Sequence, residues 1–257
     1  MYKSFYVKDF DKVKIKNNDS SKLDDYWFSS KKTNNDALKE VVKSITNDEQ
    51  GIYQQGIYEQ GIKVKEISDN FFKKIECNIF LSHSHKDINK VIKLAIFLEK
   101  EYRCKVFIDS IFWENIYDLL KEFDNIYCKD DGNFDYQKRN CMTSNFFIIL
   151  NTALHKMIEI SDYFFFLETK QSTTKNRYLT SPWIFSELSF ATQVSRRKPE
   201  NKLFENYIRN QEKISLEAQK KIEKIIKFFY QIPDLDYTLS SDQFSYYILG
   251  GKSHTPS

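Results

Sequence analysis

The sequence contains little that would place the protein in a membrane or outside the cell. Its 257 residues include four cysteines, Cys77, Cys104, Cys128 and Cys141, and none of them stands in a C-x-x-C pair. We therefore expect reduced thiols and a cytoplasmic location. No apolar run approaches the roughly 20 residues of a membrane-spanning helix, and the N-terminal MYKSFYVKDF lacks the apolar core of a signal peptide. We expect no membrane partner.

An excess of charge of one sign is also missing. The formal net charge is +3, and lysine alternates with aspartate and glutamate along the whole chain. Proteins that bind nucleic acids usually present a basic face, so nucleic acid is not an expected partner. The chain is rich in apolar residues: 41% of its residues are hydrophobic and 16% are aromatic. At this length the composition suits one large domain with a substantial core.

Composition changes near residue 76. The preceding residues are rich in lysine, asparagine, aspartate and serine, and GIYQQGIYEQGI (51–62) repeats every five residues, a period of neither a helix nor a strand. We interpret residues 1–75 as an N-terminal extension that is partly low-complexity, with the repeat as a loop and a short helix at 37–45. Residues 76–250 are then the folded domain, and residues 251–257 are a tail.

From residue 76 onward, apolar runs alternate with amphipathic segments. The pattern predicts strands at 78–82, 105–109 and 162–168 and helices at 87–102, 144–159 and 181–195. In the 144–159 helix, the inward-facing residues are Phe147, Leu150, Leu154 and Met157. A helix near 222–229 and a last strand and helix within 234–249 complete the pattern. Because the first two strands flank a helix, they form a βαβ unit, which predicts an α/β fold with a central parallel sheet flanked by helices.

Glu187 interrupts an apolar helix face in SPWIFSELSF (181–190). Ser181 is a natural N-cap and Pro182 suits the first helical position. At about 100° per residue, Glu187 falls on the same arc as Trp183 and Ala191. Burying an ionised carboxylate without a partner is costly. Glu187 is therefore either a core residue paired with a lysine, an arginine or a backbone N–H, or a carboxylate held at the edge of a pocket.

A second polar cluster, SHSHKD (82–87), follows the first strand. Its H-x-H-x-D pattern resembles the opening of the metallo-β-lactamase zinc motif, but Ile88 stands where the next histidine is expected. Only His155 and His254 remain to complete a site, so we expect no metal. Ser84 and Asp87 have the spacing of a capping box, which would simply begin the helix. The free N–H groups at such a helix start are also suited to binding a phosphate.

The two clusters are predicted to meet. In open α/β sheets, ligands bind outside the carboxyl ends of the strands where the strand order reverses. In a flavodoxin-like order, 2-1-3-4-5, the strands at 78–82 and 162–168 are neighbours at that point. SHSHKD would then face the helix that carries Glu187, and Asp109 and Ser110 at the end of the second strand would flank the same crevice.

Taken in order, IFLSHSHKD, KVFIDS, a hydrophobic strand and SPWIFSE resemble the bacterial Toll/interleukin-1 receptor (TIR) domain over residues 76–250. The resemblance implies a flavodoxin-like TIR fold and cleavage of NAD+, with Glu187 of W-x-x-x-E as the catalytic carboxylate. The sequence is most similar to TIR proteins of Thoeris-type antiphage defence, in which NAD+ becomes a nucleotide signal for a separate effector. The stretch between Asp109 and Ser144 is long for the family, and the first 75 residues have no TIR counterpart.

The resemblance also implies a set of site residues and partners. Beside Glu187, the substrate-binding residues would be Ser82, His83, Ser84, His85, Asp109, Ser110, Trp113 and Trp183. NAD+ would be the substrate, no cofactor would be needed, and the TIR domains would associate with one another. The activity would be that of an NAD+ glycohydrolase or an ADP-ribosyl cyclase or transferase, with the acceptor left open. The alternative is a non-catalytic TIR module that serves only in assembly.

Overall fold

The computed structural model describes residues 1–15, 52–54, 57–59, 64–72, 74–112, 116–197 and 228–250. The chain divides into two compact units. The first comprises Met1–Ser21, Ile75–Ser110 and His155–Ser257, and the second comprises Lys22–Lys74 and Ile111–Leu154. The helix predicted at 37–45, most of the helix predicted at 222–229 and the tail at 251–257 lie outside the described residues.

The described part of the chain contains both strands and helices. The strands are β1 (Lys3–Val7), β2 (Ile52–Gln54), β3 (Ile57–Glu59), β4 (Ile79–Ser82), β5 (Val106–Phe107), β6 (Lys129–Asp130), β7 (Asn133–Phe134), β8 (Tyr163–Leu167) and β9 (Tyr237–Leu239). The α-helices are α1 (Val64–Phe71), α2 (Ile88–Tyr102), α3 (Asp109–Phe112), α4 (Ile116–Tyr127), α5 (Tyr136–Ile160), α6 (Pro182–Gln193) and α7 (Ser241–Tyr247).

A five-stranded sheet forms the centre of the first unit. Its strands lie in the order β5-β4-β8-β1-β9 and all pairings are parallel. The predicted α/β class with a flavodoxin-like central sheet is confirmed. The expected neighbours also pair: Ile79 of β4 lies opposite Tyr163 of β8, and Ser82 lies opposite Phe166. Their carboxyl ends therefore meet at one edge.

The N-terminal strand corrects the prediction for residues 1–75. Lys3–Val7 is not part of an extension but an inner strand, paired with β8 on one side and with β9 on the other. It takes the fourth position of the 2-1-3-4-5 order, for which the sequence analysis named no segment. The strand was missed because it begins with Lys3, is followed by Lys8 and lies within a segment rich in polar residues. Nevertheless, its four residues from Ser4 onward are buried.

Aromatic rings fill the centre of this sheet. All five residues of β8, YFFFL, are buried, as expected for a parallel strand covered on both faces. The Phe5 ring stacks on Phe165 at a centroid distance of 4.7 Å and on Tyr237 at 5.3 Å. Phe80 and Phe164 stack in the same way on β4 and β8, at 5.5 Å. These rings fix the lateral register of the strands whose ends carry the polar groups.

The helices of the first unit follow the sequence pattern closely. Helix α2 buries Val91, Ile92, Leu94, Ala95 and Leu98. Helix α6 begins as predicted, with the Ser181 side chain accepting a hydrogen bond from the Ile184 N–H and Pro182 in the first turn. The last strand and helix predicted within 234–249 are present as β9 and α7. Helix α7 begins with a capping box between Ser240 and Gln243.

Two hairpins belong to the second unit. The loop predicted for the repeat at 51–62 is wrong for 52–54 and 57–59, since β2 and β3 pair antiparallel with Tyr53 opposite Tyr58. The second hairpin pairs β6 with β7 around Asp131 and Gly132, both at positive φ (48° and 84°). An Asp-Gly pair is the residue choice that such a turn favours.

Helix α5 is longer than the sequence predicted. It begins at Tyr136 rather than near residue 144 and ends at Ile160. Leu154 and Met157 are buried as expected, but Phe147 is 42% exposed and the prediction that it faces inward is wrong. Its neighbour Phe146 is buried instead, with its ring 5.0 Å from that of Phe123. The buried face continues N-terminally from Leu150 through Ile149 and Phe146, at spacings of three and four residues, and Phe147 lies outside it.

All four cysteines are free, and Cys141 alone among them is exposed. Burial raises the pKa of the Cys77 and Cys104 thiols to about 12, so both behave as small apolar groups at neutral pH.

Within the described part of the chain, no helix combines the length and the apolar character needed to cross a membrane.

Replacement of Phe5 by alanine tests the place of β1 in the sheet. Because the ring is fully buried between Phe165 and Tyr237, Phe5→Ala should lower the free energy of unfolding by about 3 to 5 kcal/mol. Urea denaturation of the full chain measures this. Lys14→Ala, at an exposed position in the same segment, should change the free energy by less than about 0.5 kcal/mol. Equal midpoints for the two variants would return residues 1–15 to the status of an extension.

Candidate functional site

The candidate site lies at the carboxyl ends of β4 and β8. Ser82 is the last residue of β4, and Glu187 reaches the same place from helix α6. The Ser82 hydroxyl donates a hydrogen bond of 2.6 Å to Glu187 Oε2. Both residues are almost fully buried, at 1% and 2% exposure. The structure thus brings together the two clusters that the sequence analysis placed in one crevice.

Glu187 has no cationic partner among the residues that the structure describes. Its one hydrogen bond there comes from the Ser82 hydroxyl. Burial raises the pKa of Glu187 well above its ordinary value of 4.5, and the negative charge of Asp109 raises it further, whereas the bond from Ser82 lowers it. The carboxyl group is thus held in an environment that opposes its ionisation, a property that clusters at functional sites.

His83, Asp109 and Ser110 form the second half of the site. His83 Nδ1 lies 2.9 Å from the carbonyl oxygen of Leu81, and Nε2 lies 3.1 Å from the Ser110 hydroxyl. Asp109 Oδ1 is 3.8 Å from Nδ1. Burial lowers the pKa of His83, an effect that Asp109 and the Leu81 carbonyl oppose. The ring is therefore neutral near pH 7, and its side chain is fully enclosed while that of Asp109 is 22% exposed.

The other predicted site residues are half-buried or exposed, or they lie outside the described residues. Ser84 and Trp183 are half-buried and His85 is exposed, with its ring 6.4 Å from that of His83. Trp113 lies outside the described residues. Ser84 precedes a short 3-10 helix (His85–Asp87), but its side chain makes no capping hydrogen bond, so the predicted capping box is absent. The proposed role of these residues in binding substrate stays a prediction.

Asp87 has a different partner from the one that the sequence suggested. Its carboxylate accepts a 2.5 Å hydrogen bond from the Thr169 hydroxyl, which follows β8. Thr169 also caps its own loop, because its hydroxyl accepts from the Gln171 N–H and its N–H donates to Ser172. This contact ties the start of α2 to the loop that leads into α6. Spacing along the chain could not reveal it, since the two residues are 82 positions apart.

A second buried glutamate, Glu168, lies beside the site at the ends of β8 and β1. It is 4% exposed and accepts hydrogen bonds from the Asp9 N–H at 3.4 Å and the Thr173 hydroxyl at 3.3 Å. Arg177 Nη1 lies 3.5 Å from its Oε2. The Tyr6 hydroxyl also bonds to Glu168, and burial together with that carboxylate raises the pKa of Tyr6. Glu168 thus holds the loop before α6 to the sheet edge.

The remaining described histidine, His155, lies on the other flank of α6. Its Nε2 is 3.0 Å from the Ser186 hydroxyl and its ring stacks on Phe190 at 4.1 Å. Burial lowers its pKa. Across the ranges that the structure describes, no three histidine, cysteine, aspartate or glutamate side chains gather as a metal site would require. His83 and His85 are therefore not accompanied there by a third ligand.

Comparisons of the chain with protein-family models, with curated proteins and with solved structures find no match. The TIR resemblance accordingly depends on the motif residues themselves. Glu187, Ser82, His83, Asp109 and Ser110 together offer a buried carboxyl group whose ionisation is opposed and a neutral imidazole beside a hydroxyl.

The environment of Glu187 predicts how stability depends on pH. Its pKa is raised in the folded state, so above an unfolded value near 4.5 the folded protein holds a proton that the unfolded chain has lost. The contribution of Glu187 to the free energy of unfolding should therefore be fully present below that pH and be lost as pH rises toward the folded pKa. The total loss is about 1.4 kcal/mol for each unit by which folding raises the pKa. Glu187→Gln should remove this loss and be at least as stable as the wild type at pH 7.

Thermal unfolding between pH 4 and pH 8 measures this difference. Glu101→Gln removes an exposed carboxylate at the end of α2 and serves as the matched control, which should follow the wild-type curve. A Glu187→Gln protein that is clearly less stable than the wild type at pH 7 would show that Glu187 is a paired structural group.

Proposed function

We propose that this chain is an NAD+-cleaving enzyme of the TIR type, which releases nicotinamide and forms an ADP-ribose-derived signal, cyclic or conjugated, in antiphage defence. The observation that supports this best is Glu187. It is a buried carboxyl group with a hydroxyl as its partner, placed at the sheet edge where α/β folds bind their ligands. A carboxylate kept only for stability would be expected to have a cation beside it.

The chemistry of NAD+ explains why one carboxylate is enough. Ordinary glycosidases need a second carboxyl group to protonate a poor leaving group. Nicotinamide leaves as a neutral molecule and needs no acid. What the reaction requires is a negative charge near the ribose, where an oxocarbenium ion develops in the transition state. Glu187 would supply that charge, and the Ser82 hydroxyl would orient its Oε2.

The raised pKa of Glu187 fits this role once the substrate is considered. In the free protein, burial and Asp109 favour the neutral acid. The nicotinamide ring of NAD+ is cationic, and a nearby positive charge favours the ionised carboxylate. Binding would therefore expel the proton and create a carboxylate that is unshielded by water. Such a charge stabilises a developing cation more strongly than one already paired or solvated.

The rest of the proposed substrate would extend along the same edge. The segment Ser84–Asp87 at the start of α2 is suited to the pyrophosphate, and half-buried Trp183, one turn before Glu187, is suited to the nicotinamide or the ribose. The partners in this proposal are NAD+, a second copy of the domain and a separate effector that responds to the product. The setting is the cytoplasm, where NAD+ is abundant.

Nicotinamide release tests the proposal directly. The full chain should liberate nicotinamide from NAD+, measured by chromatography and mass spectrometry both in vitro and in cells with and without phage. Glu187→Gln keeps the shape and removes the charge, so the rate should fall by on the order of a hundredfold or more. Glu101→Gln should retain the wild-type rate.

Two results would contradict the assignment. Release that persists in a folded Glu187→Gln protein would remove Glu187 from the reaction. No release by the wild type in any of these settings would remove the activity itself.

A non-catalytic assembly module is the second candidate. The specific observation in its favour is the near-complete burial of Glu187, at 2% exposure, since a ligand must reach an enclosed carboxyl group. This alternative predicts unchanged nucleotides in cells and self-association that survives Glu187→Gln. Because self-association is expected of both candidates, the nicotinamide assay separates them, and light scattering at matched concentrations checks that the two proteins compared are in the same oligomeric state.

A further inference from the structure

The hydrogen bonds of His83 define its tautomer. A carbonyl oxygen can only accept, so the 2.9 Å contact between Nδ1 and Leu81 places the ring proton on Nδ1. In the neutral ring, Nε2 then carries the lone pair. The Ser110 hydroxyl, 3.1 Å away, must donate to it. The structure thus aims a basic nitrogen at one serine hydroxyl.

This arrangement has the parts of an activated nucleophile. A hydroxyl, a base within hydrogen-bonding distance and a third group that orients the base are the three components that such sites share. Here they are Ser110, His83 and the Leu81 carbonyl. Asp109, 3.8 Å from Nδ1, adds a negative charge that would stabilise the imidazolium formed on proton transfer. Ser110 is half-buried, so a reagent can reach it, while the His83 side chain is enclosed.

The pair belongs to the same cluster as Glu187. Asp109 acts electrostatically on both Glu187 and His83, and Ser82 and His83 are consecutive residues at the end of β4. A ribose held against Glu187 would therefore have the Ser110 hydroxyl in its surroundings. The other two serines at the end of β4 differ from Ser110, since Ser82 donates to Glu187 and Ser84 makes no capping bond. The serine next to Glu187 on α6, Ser186, contacts a different histidine, His155, at 3.0 Å.

We propose that Ser110 is a nucleophile activated by His83, and that it accepts the ADP-ribosyl group of NAD+ so that the chain modifies itself. In the step, Ser110 Oγ forms a bond to C1′ of the nicotinamide ribose while the bond from C1′ to the nicotinamide nitrogen breaks. The electron pair of that bond stays on nicotinamide, which leaves neutral. The hydroxyl proton passes to His83 Nε2. This acceptor role rests on the proposed function, whereas the nucleophile–base pair does not.

An electrophilic probe tests the pair without NAD+. An alkyl fluorophosphonate should label Ser110 of the full chain, located by peptide mass spectrometry, and should label the equally half-buried Ser84 on the order of a hundredfold more slowly. This comparison of two serines in the wild-type protein requires no variant. His83→Asn keeps a donor for the Leu81 carbonyl and removes Nε2, so it should slow Ser110 labelling by a similar factor.

Two results with the probe would overturn the nucleophile–base pair. One is labelling of Ser110 no faster than that of Ser84. The other is labelling that is equally fast in a folded His83→Asn protein.

Incubation with NAD+ then tests the acceptor role. One ADP-ribosyl group per chain should appear on Ser110 in the intact-mass spectrum and in its fragments, and it should be absent from Ser110→Ala. Nicotinamide released by the wild type without any modification of Ser110 would overturn the acceptor role alone. If no nicotinamide is released, the proposed function fails together with the acceptor role, and the fluorophosphonate result still decides whether His83 activates Ser110.

Discussion

The pairing of β8 with β4 on one side and β1 on the other is the constraint on which the candidate site depends. Parallel pairing brings the carboxyl ends of these strands to one edge. Ser82 ends β4, Glu168 and Thr169 follow β8, and Asp9 follows β1. The register is held by buried aromatic rings rather than by the polar groups themselves. The packing of the core therefore determines the position of each polar side chain at this edge.

The site brings together the carboxyl groups of Glu187 and Asp109 and the His83 ring, although this proximity lowers the stability of the fold. The negative charge of Asp109 raises the cost of ionising Glu187. His83 is enclosed as a neutral ring although Asp109 lies 3.8 Å away. A fold selected for stability alone would replace such a group with an apolar side chain or provide a cation. The cost is local, because the neighbouring strands β4 and β8 are buried along their whole length.

Sequence patterns predicted what depends on short-range order. The strands at 78–82 and 162–168, the cap at Ser181 and the buried face that includes Glu187 all follow from periodicity and capping chemistry within a few residues. The inner strand Lys3–Val7 did not, because its burial comes from β8 and β9, more than 150 positions away. The bond between Thr169 and Asp87 and the Arg177–Glu168 ion pair are likewise long-range or loop contacts. The hydrogen bond between His83 and Ser110 depended on the turn after β4, which residue spacing does not specify.

The two buried glutamates at this edge differ in how far their surroundings compensate a negative charge. Glu168 is met by Arg177, by the hydroxyls of Tyr6 and Thr173 and by a backbone N–H, so its charge is compensated from several directions. Glu187, similarly buried, has one hydroxyl and a neighbouring negative charge. Since Thr173 and Arg177 lie in the loop that leads into α6 whereas Tyr6 and Asp9 belong to β1 and the turn after it, Glu168 ties the loop before α6 to the sheet edge. The difference in compensation supports a ligand, rather than the core, as the natural partner of Glu187.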